Sequence, residues 1–358
     1  MVVKRRTSKR IGKEDPTLGK KKHPERPMID DLGIRIGEIG HGKFNAITDV
    51  QGVRVGHVTL IRGTDVRTGV TAILPHGGNL FREKVEAAVH VINGFGKSLG
   101  LLQVMELGNI ESPILLTSTL NVWRVADALI DVLSAQNPEV HSFNPVVCEC
   151  NDGFLNDALR RPVGPEEVVQ AIREARSGPI SEGSVGAGTG LSGFGFKAGI
   201  GTASRQWTGE AGTFTLGVLV LMNTGAAGAL RIDGVPVGKE LAAAASEQEK
   251  HDGSIIIVIA TDAPLSSRRL TRVAKRAAFG LARTGAVAAH RSGDFVVAFS
   301  TTTRRTIGAG ERIPEEQLTQ FFKATVEATE EAIVRSILKA KTMVGRDGHV
   351  SEGISGLQ

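Results

Sequence analysis

Gly253 and Ser254 stand where a polar run, Ser246 to Asp252, gives way to six consecutive apolar residues, Ile255 to Ala260. A serine hydroxyl is a weak nucleophile unless a base lies beside it, and cutting the chain just before the serine supplies one. The new α-amine has an unperturbed pKa of about 7.7 to 8.0, so near neutral pH it is partly uncharged and covalently held next to the hydroxyl. A glycine before the serine favours such a cut, because a residue without Cβ lets the hydroxyl reach the preceding carbonyl and tolerates a strained backbone. The pair points to self-cleavage between Gly253 and Ser254, with Ser254 left as an N-terminal nucleophile. Asp-Gly-Ser before a strand is equally the sequence of an ordinary turn, so other residues must decide between the two.

Competing constellations carry less. His251, Asp252 and Ser254 are too close in sequence to form a triad along an extended strand, and His290 near Ser292 reads as a loop residue. The nine histidines are scattered without HExxH or a paired spacing, so no metal site and no cofactor are expected. Gly186, Gly188 and Gly190 invite a nucleotide-binding reading. That GxGxG lacks the third glycine of the dinucleotide fingerprint and the GK[ST] ending of a phosphate loop, so packed turns and strands are the better account. No tyrosine occurs, and no mechanism can call on a phenol. Cys148 and Cys150 fall on one face of an extended chain, poor geometry for a disulfide, and a reducing cytoplasmic setting follows as the expectation.

The elements that must position these groups follow from pattern. The apolar run after Ser254 suits a strand buried on both faces. Residues 45 to 61 alternate around Gly52 and Gly56 as a hairpin-like pair of strands, and Val70 to Leu74 is a further strand. Residues 86 to 96 fit helix or strand. A strand at 113 to 117 feeds a helix over 121 to 135 with Val122, Val125, Leu129 and Leu133 on one stripe. Strands are predicted at 145 to 150, 214 to 222, 230 to 237 and 295 to 300, and a helix from Pro165 to Arg176. Ser266 can cap a helix with Leu270, Val273, Ala277 and Leu281 inward and Arg268, Arg269, Arg272, Lys275 and Arg276 outward. A long helix over 314 to 341 turns Leu318, Phe322, Val326, Ile333 and Ile337 inward.

The 358 residues have the 41% hydrophobic and 23% charged fractions of a globular protein. Ten Lys or Arg against three acids within residues 1–26 give +7, so the whole-chain charge of +5 leaves −2 on the rest. Residues 1–27 therefore read as a basic disordered tail, and nucleic acid is not expected as a partner. No apolar stretch is long enough for a membrane span or a secretory signal. Residues 28–345 read as one catalytic α/β domain, and 346–358 as a frayed end.

Several segments together resemble one family: TGVTAILPHGGNLF, ELGNIESPILLTSTL, CECNDGFLND, VGAGTG, HDGSIIIVIATDAPLSSRRLTRVAKRAAFGLARTG and RSGDFVVAFST. From about Asp31 to Thr302 the chain is similar to the self-processing serine aminopeptidases of the L-aminopeptidase/D-esterase group, which includes β-peptidyl aminopeptidases. The resemblance implies a four-layer α/β/β/α sandwich, shared with ornithine acetyltransferases. It implies cleavage into an α chain of 1–253 and a β chain of 254–358 that stay associated and assemble into homo-oligomers. The implied chemistry is release of an N-terminal residue from a peptide, amide or ester. Ser254 matches the nucleophile, Ser292 and Asp294 a supporting serine and carboxylate, Asn223 the oxyanion donor, and Glu149 the carboxylate that receives the substrate amine. Several relatives have Glu where Asp294 stands, one methylene longer. Some use a tyrosine close to Asn151; with none here, the resemblance implies that Asn151 or a backbone N–H takes that part, or that catalysis is weaker. An acyltransferase is the alternative on this architecture, although relatives doing transfer generally carry Thr as nucleophile.

Overall fold

The computed structural model describes residues 33–210, 212–241, 253–303 and 313–354. The tail expected over 1–27 lies outside them, as do His251 and Asp252. The chain opens with an antiparallel hairpin, β1 (Arg54–Arg62) and β2 (Val66–Leu74), turned at Gly63 with φ 52°. The hairpin expected within 45–61 is therefore misplaced: Ile47–Asp49 is a 3-10 turn, and β1 runs straight through Gly56. Gly56 serves close approach instead, since a Cβ there would lie 2.0 Å from the Ala171 carbonyl oxygen.

Next come β3 (Val85–Gly94), α1 (Leu101–Leu107), β4 (Asn109–Ile110), β5 (Ile114–Ser118), α2 (Val122–Gln136), β6 (Val146–Cys150) and α3 (Pro165–Arg173). The ambiguous 86–96 segment is thus mostly strand. The Gly-rich segment folds into turns, among them a 3-10 turn at Gly186–Gly188, and the short pair β7 (Ser192–Gly193) and β8 (Phe196–Lys197), and it opens no α-helix. β9 (Ile200–Gly209) and β10 (Gly212–Met222) follow. The strand predicted at 230–237 is an isolated bridge between Ile232 and Val235 ahead of α4 (Gly238–Leu241). The last part holds β11 (Ser254–Thr261), α5 (Ser267–Ala274), α6 (Ala277–Arg283), β12 (Gly293–Thr303), α7 (Leu318–Leu338) and the hairpin of β13 (Met343–Val344) with β14 (Val350–Ser351). Residues 346–354, read from sequence as part of a frayed end, pack through this hairpin, and Lys197 N–H donates to the Glu352 carbonyl at 2.6 Å.

Among the described residues the strands form a four-stranded sheet, order β1-β2-β5-β6, and a six-stranded sheet, order β4-β3-β12-β11-β10-β9. The two sheets bury Ile73, Ile114, Leu116 and Cys148 of the first against Leu219, Leu221, Ile256, Val258 and Val297 of the second. Leu129, Leu133 and Val168 of α2 and α3 pack on the outer face of the small sheet. Leu270, Leu281 and Ile333 of α5, α6 and α7 cover that of the large one. The result is an α/β/β/α sandwich. Every residue of β11 is buried, as two packed faces require.

Ser266 stands at the start of α5 in extended conformation, but its side chain makes no cap; Glu86 accepts from the Ser267 N–H at 3.1 Å instead. The arginine face read as outward is partly covered. Arg268, Arg269 and Arg272 pair with Glu315, and Arg276 lies 3.8 Å from the Phe322 ring centroid.

Candidate active site

Side chains of β11 alternate between the two apolar layers: Ile255, Ile257 and Ile259 face α5–α7, and Ile256, Val258 and Ala260 face the other sheet. Ser254, at the first position, belongs to the inter-sheet series and is 9% exposed. Its backbone is pinned by one neighbour: Asn223, directly after β10, accepts the Ser254 N–H on Oδ1 at 2.5 Å and donates its own N–H to the Ser254 carbonyl at 3.0 Å. The amide of Asn223 is oriented by these contacts, since Nδ2 donates to the Asn151 carbonyl at 2.7 Å. An amide nitrogen carries two hydrogens, so one remains for a further acceptor.

Gly253 packs where no other residue fits. A Cβ there would lie 2.1 Å from the Asn223 carbonyl oxygen and 2.4 Å from Thr224 Cα. The chain therefore approaches Ser254 in close backbone contact with the end of β10, and glycine is required by that contact.

β12 lies parallel to β11 with Gly293 opposite Ser254 and Asp294 opposite Ile255. The Gly293 N–H donates to Ser254 Oγ at 3.2 Å, so a backbone donor already faces the hydroxyl oxygen. On either side of Gly293, Ser292 Oγ donates to Asp294 Oδ1 at 2.7 Å. Burial raises the Asp294 carboxyl to about 6, with the Ser292 hydroxyl and the Ile255 amide pulling the other way. Among the described residues Asp294 Oδ2 has no hydrogen-bond partner.

The third wall is the segment after β3. A Cβ at Gly293 would lie 2.5 Å from the Phe95 carbonyl oxygen and 3.2 Å from Ser254 Oγ, so Phe95 passes beside the Ser254 hydroxyl. Two residues on, the Lys97 N–H donates to Glu149 Oε1 at 3.0 Å. Glu149, in β6, is 3% exposed. Asn151 contributes its carbonyl; its side chain is exposed and folds back to accept the Gly153 N–H at 2.8 Å.

Ser254, Asn223, Asn151, Ser292 and Asp294 are thus joined by contacts through β10, β11 and β12, with Glu149 linked through Phe95–Lys97. Three contributors were not singled out from sequence. The Gly293 N–H and the Phe95 carbonyl are backbone groups and leave no signature in residue types. Asn93 lies opposite Asp294 in the β3–β12 register and donates to the carbonyls of Ala289, His290 and Ser292 at 3.0, 3.2 and 2.6 Å. Its role depends on strand pairing almost two hundred residues away. Among the described residues no three His, Cys, Asp or Glu cluster to hold a metal, and no helix is long and apolar enough to cross a membrane.

The family model described as "Peptidase family S58" matches residues 45–351. A curated relative, the beta-peptidyl aminopeptidase BapA of Sphingosinicella microcystinivorans, is 41% identical over 353 residues, covering 91% of this chain and 89% of its own. A crystal structure of a Pyrococcus horikoshii OT3 protein is 50% identical with TM-score 0.84, over 91% of this chain and 95% of that one. The L-aminopeptidase D-Ala-esterase/amidase of Ochrobactrum anthropi, described as a variant of the Ntn hydrolase fold, is 35% identical with TM-score 0.85, over 92% and 96%.

Proposed function

The chain belongs to peptidase family S58 and is a serine aminopeptidase, and from that premise we propose that Ser254 is its nucleophile, made N-terminal by self-cleavage after Gly253. The observation that carries the reading is the double hold on Ser254: its N–H on Asn223 Oδ1 and its Oγ under the Gly293 N–H. Cutting before Ser254 turns that N–H into an amine already placed against an amide oxygen, beside its own hydroxyl. The amine takes the hydroxyl proton, directly or through Ser292, as Oγ attacks the acyl carbon. Asp294 keeps Ser292 oriented and offers Oδ2 to the ammonium that results.

The second Nδ2 hydrogen of Asn223 serves the developing oxyanion, a contribution of about 3 to 4 kcal/mol in comparable sites. Glu149 receives the substrate's free amine and disfavours N-blocked peptides, since their neutral amide brings no charge to a buried carboxylate. The leaving amine takes the proton, water hydrolyses the ester, and the N-terminal residue is released. Asn151 acts through its carbonyl, which fixes Asn223.

The reading extends to assembly as a homo-oligomer of processed αβ units, supported by exposed apolar side chains on α1 and α2: Leu102, Met105, Leu107 and Trp123. It also keeps a cytoplasmic setting, supported by two buried free thiols, of which Cys148 is pushed up to about 12 by burial.

Denaturing mass measurement tests the core of it. Wild type should give pieces of about 27 and 11 kDa by scaling with chain length, and Ser254→Ala a single chain of 37.8 kDa. An uncut wild type that still releases N-terminal residues from free-amine p-nitroanilides would remove the nucleophile assignment.

A further inference from the structure

The carboxylate read as the seat of the substrate's ammonium is already paired with a cation of the chain. Lys97 Nζ lies 3.9 Å from Glu149 Oε1, the oxygen that also accepts the Lys97 N–H. The two side chains differ in exposure, 39% for Lys97 and 3% for Glu149, so an incoming ligand meets the ammonium on its way to the carboxylate. The segment that carries Lys97 is fixed. A Cβ at Gly96 would lie 2.5 Å from the Phe295 ring and 3.4 Å from Glu149 Oε1, and the Phe95 carbonyl stands beside Gly293 and Ser254. The Phe95 ring, 53% exposed, has Lys97 Nζ 5.4 Å and Arg291 Cζ 6.0 Å from its centroid. The mouth is cationic and the floor anionic.

An acyl residue bearing an amine alone must share Glu149 with Lys97, two like charges brought onto one carboxylate. An acyl residue bearing an amine and a carboxylate on the same carbon pairs with both groups at once. We propose that Lys97 is a specificity residue that reads a carboxylate, and that the site takes β-linked aspartyl (isoaspartyl) residues. In that linkage the free amine and carboxylate sit on Cα, and the scissile carbonyl is one carbon further. This is the amine-to-carbonyl spacing of a β-amino acid, the class for which the curated relatives are named. The proposal rests on the reading of Ser254 as nucleophile and Glu149 as amine receiver. Ser254 Oγ forms an ester with the aspartate side-chain carbonyl carbon as the C–N bond breaks and the leaving amine takes the hydroxyl proton. Water then cleaves the ester, restores the serine hydroxyl and releases aspartate.

The test uses processed wild type, Lys97→Met and Lys97→Arg with three substrates: aspartic acid β-p-nitroanilide, its α-linked isomer and β-alanyl p-nitroanilide. Wild type should prefer the β-aspartyl substrate in kcat/KM. Lys97→Met should lower the β-aspartyl to β-alanyl ratio by about tenfold or more, chiefly through KM, and Lys97→Arg should keep it. Thermal melting of each variant identifies a fold that is lost rather than a contact. A wild-type preference for β-alanyl, or a ratio untouched by Lys97→Met, overturns the carboxylate assignment and leaves the aminopeptidase reading standing. Equal turnover of the two aspartyl isomers overturns the β linkage. No turnover of any of the three overturns both readings together.

Discussion

At Asp294 the cost of burial meets the need for a charge. Its carboxyl is raised from 3.8 to about 6, so the neutral acid is the form the fold favours. The sign of the stability effect follows from linkage. Below about 3.8 both states are protonated and the contribution is fully present; between 3.8 and about 6 the unfolded chain loses its proton first, and stability falls as pH rises. In the proposed mechanism, support for Ser292 and the Ser254 amine requires the carboxylate, so activity would run the opposite way and should climb through about pH 6. Asp294→Asn should remove that step from the pH profile of kcat/KM and lower kcat by about a hundredfold, while its thermal midpoint stays flat over the window in which wild type declines. Asn93 acts one contact further out. Its amide spans the carbonyls of Ala289, His290 and Ser292, which fixes the turn that presents the Ser292–Asp294 pair. Asn93→Ala should cost about 1 to 3 kcal/mol of stability from the lost amide contacts, the His290 carbonyl being the one left without another backbone donor. It should also lower kcat with KM nearly unchanged, a split that a purely structural role would not produce; an effect on KM alone would remove the positioning role.

The Gly-rich segment is the element where composition said most about shape and least about the reason for it. Its turns close around Lys197, which is fully buried and donates from Nζ to the carbonyls of Leu191 and Ala198 at 2.6 Å and of Gly188 at 3.2 Å. Burial lowers this ammonium to about 7, and Asp152 pulls it back up. A base with a folded pKa below its unfolded 10.5 gains stability as pH rises between the two values, because the unfolded chain binds more protons there. Lys197→Met should lower stability by about 1 to 3 kcal/mol, since the Ala198 carbonyl loses its donor while those of Leu191 and Gly188 keep the N–H groups of Ala198 and Leu191, and flatten that rise in denaturant midpoints; a variant that keeps the rise would assign it elsewhere. Nothing in sequence distinguishes this lysine from a surface one, since what matters is three carbonyls brought together by turns. The strand after Ser254 and the helix at α2 were legible because burial on both faces, or on one stripe, writes itself into residue order. The hairpin placed within 45–61 failed because Gly56 looked like a turn and is a helix contact. The arginine face of α5 is outward as read, but its partners Glu315 and Phe322 were not legible because they come from another part of the chain. Ser254 was singled out from the Gly253–Ser254 step at a loop-to-strand boundary, with an ordinary turn left open, whereas Ser292, Asp294, Asn223 and Glu149 were named through motif resemblance alone.

Across the whole molecule, the proposed cut would fall within a shared sheet. β10 and β3, from the piece before Gly253, pair with β11 and β12 from the piece after it, so both pieces supply neighbours in the large sheet. A buried ion network crosses the same divide. Arg205, 1% exposed, pairs through Nε with Glu327 Oε2 at 3.0 Å and through Nη1 with Glu331 Oε2 at 2.7 Å, both on α7. Arg335 of α7 returns to Glu182 at 2.6 Å and to the Asn45 carbonyl at 2.8 Å, and the Glu38 and Ile39 N–H groups donate to Glu327. The proposed cut would therefore release one chain end at Ser254 without releasing either piece. Fully processed protein should run as one species on sizing in native buffer and resolve into two only on denaturation. The network makes its own demand, since removing the cation leaves Glu327 buried without a cation and Glu331 with Arg335 alone. Arg205→Met should cost about 3 to 5 kcal/mol, read as a lower denaturant midpoint of the processed form. Adding Glu327→Gln and Glu331→Gln to that variant should restore part of the loss, because the charges left without a partner are then gone. If Arg205→Met instead leaves the midpoint unchanged, the sheet alone holds the two pieces and the ion network contributes nothing to their association.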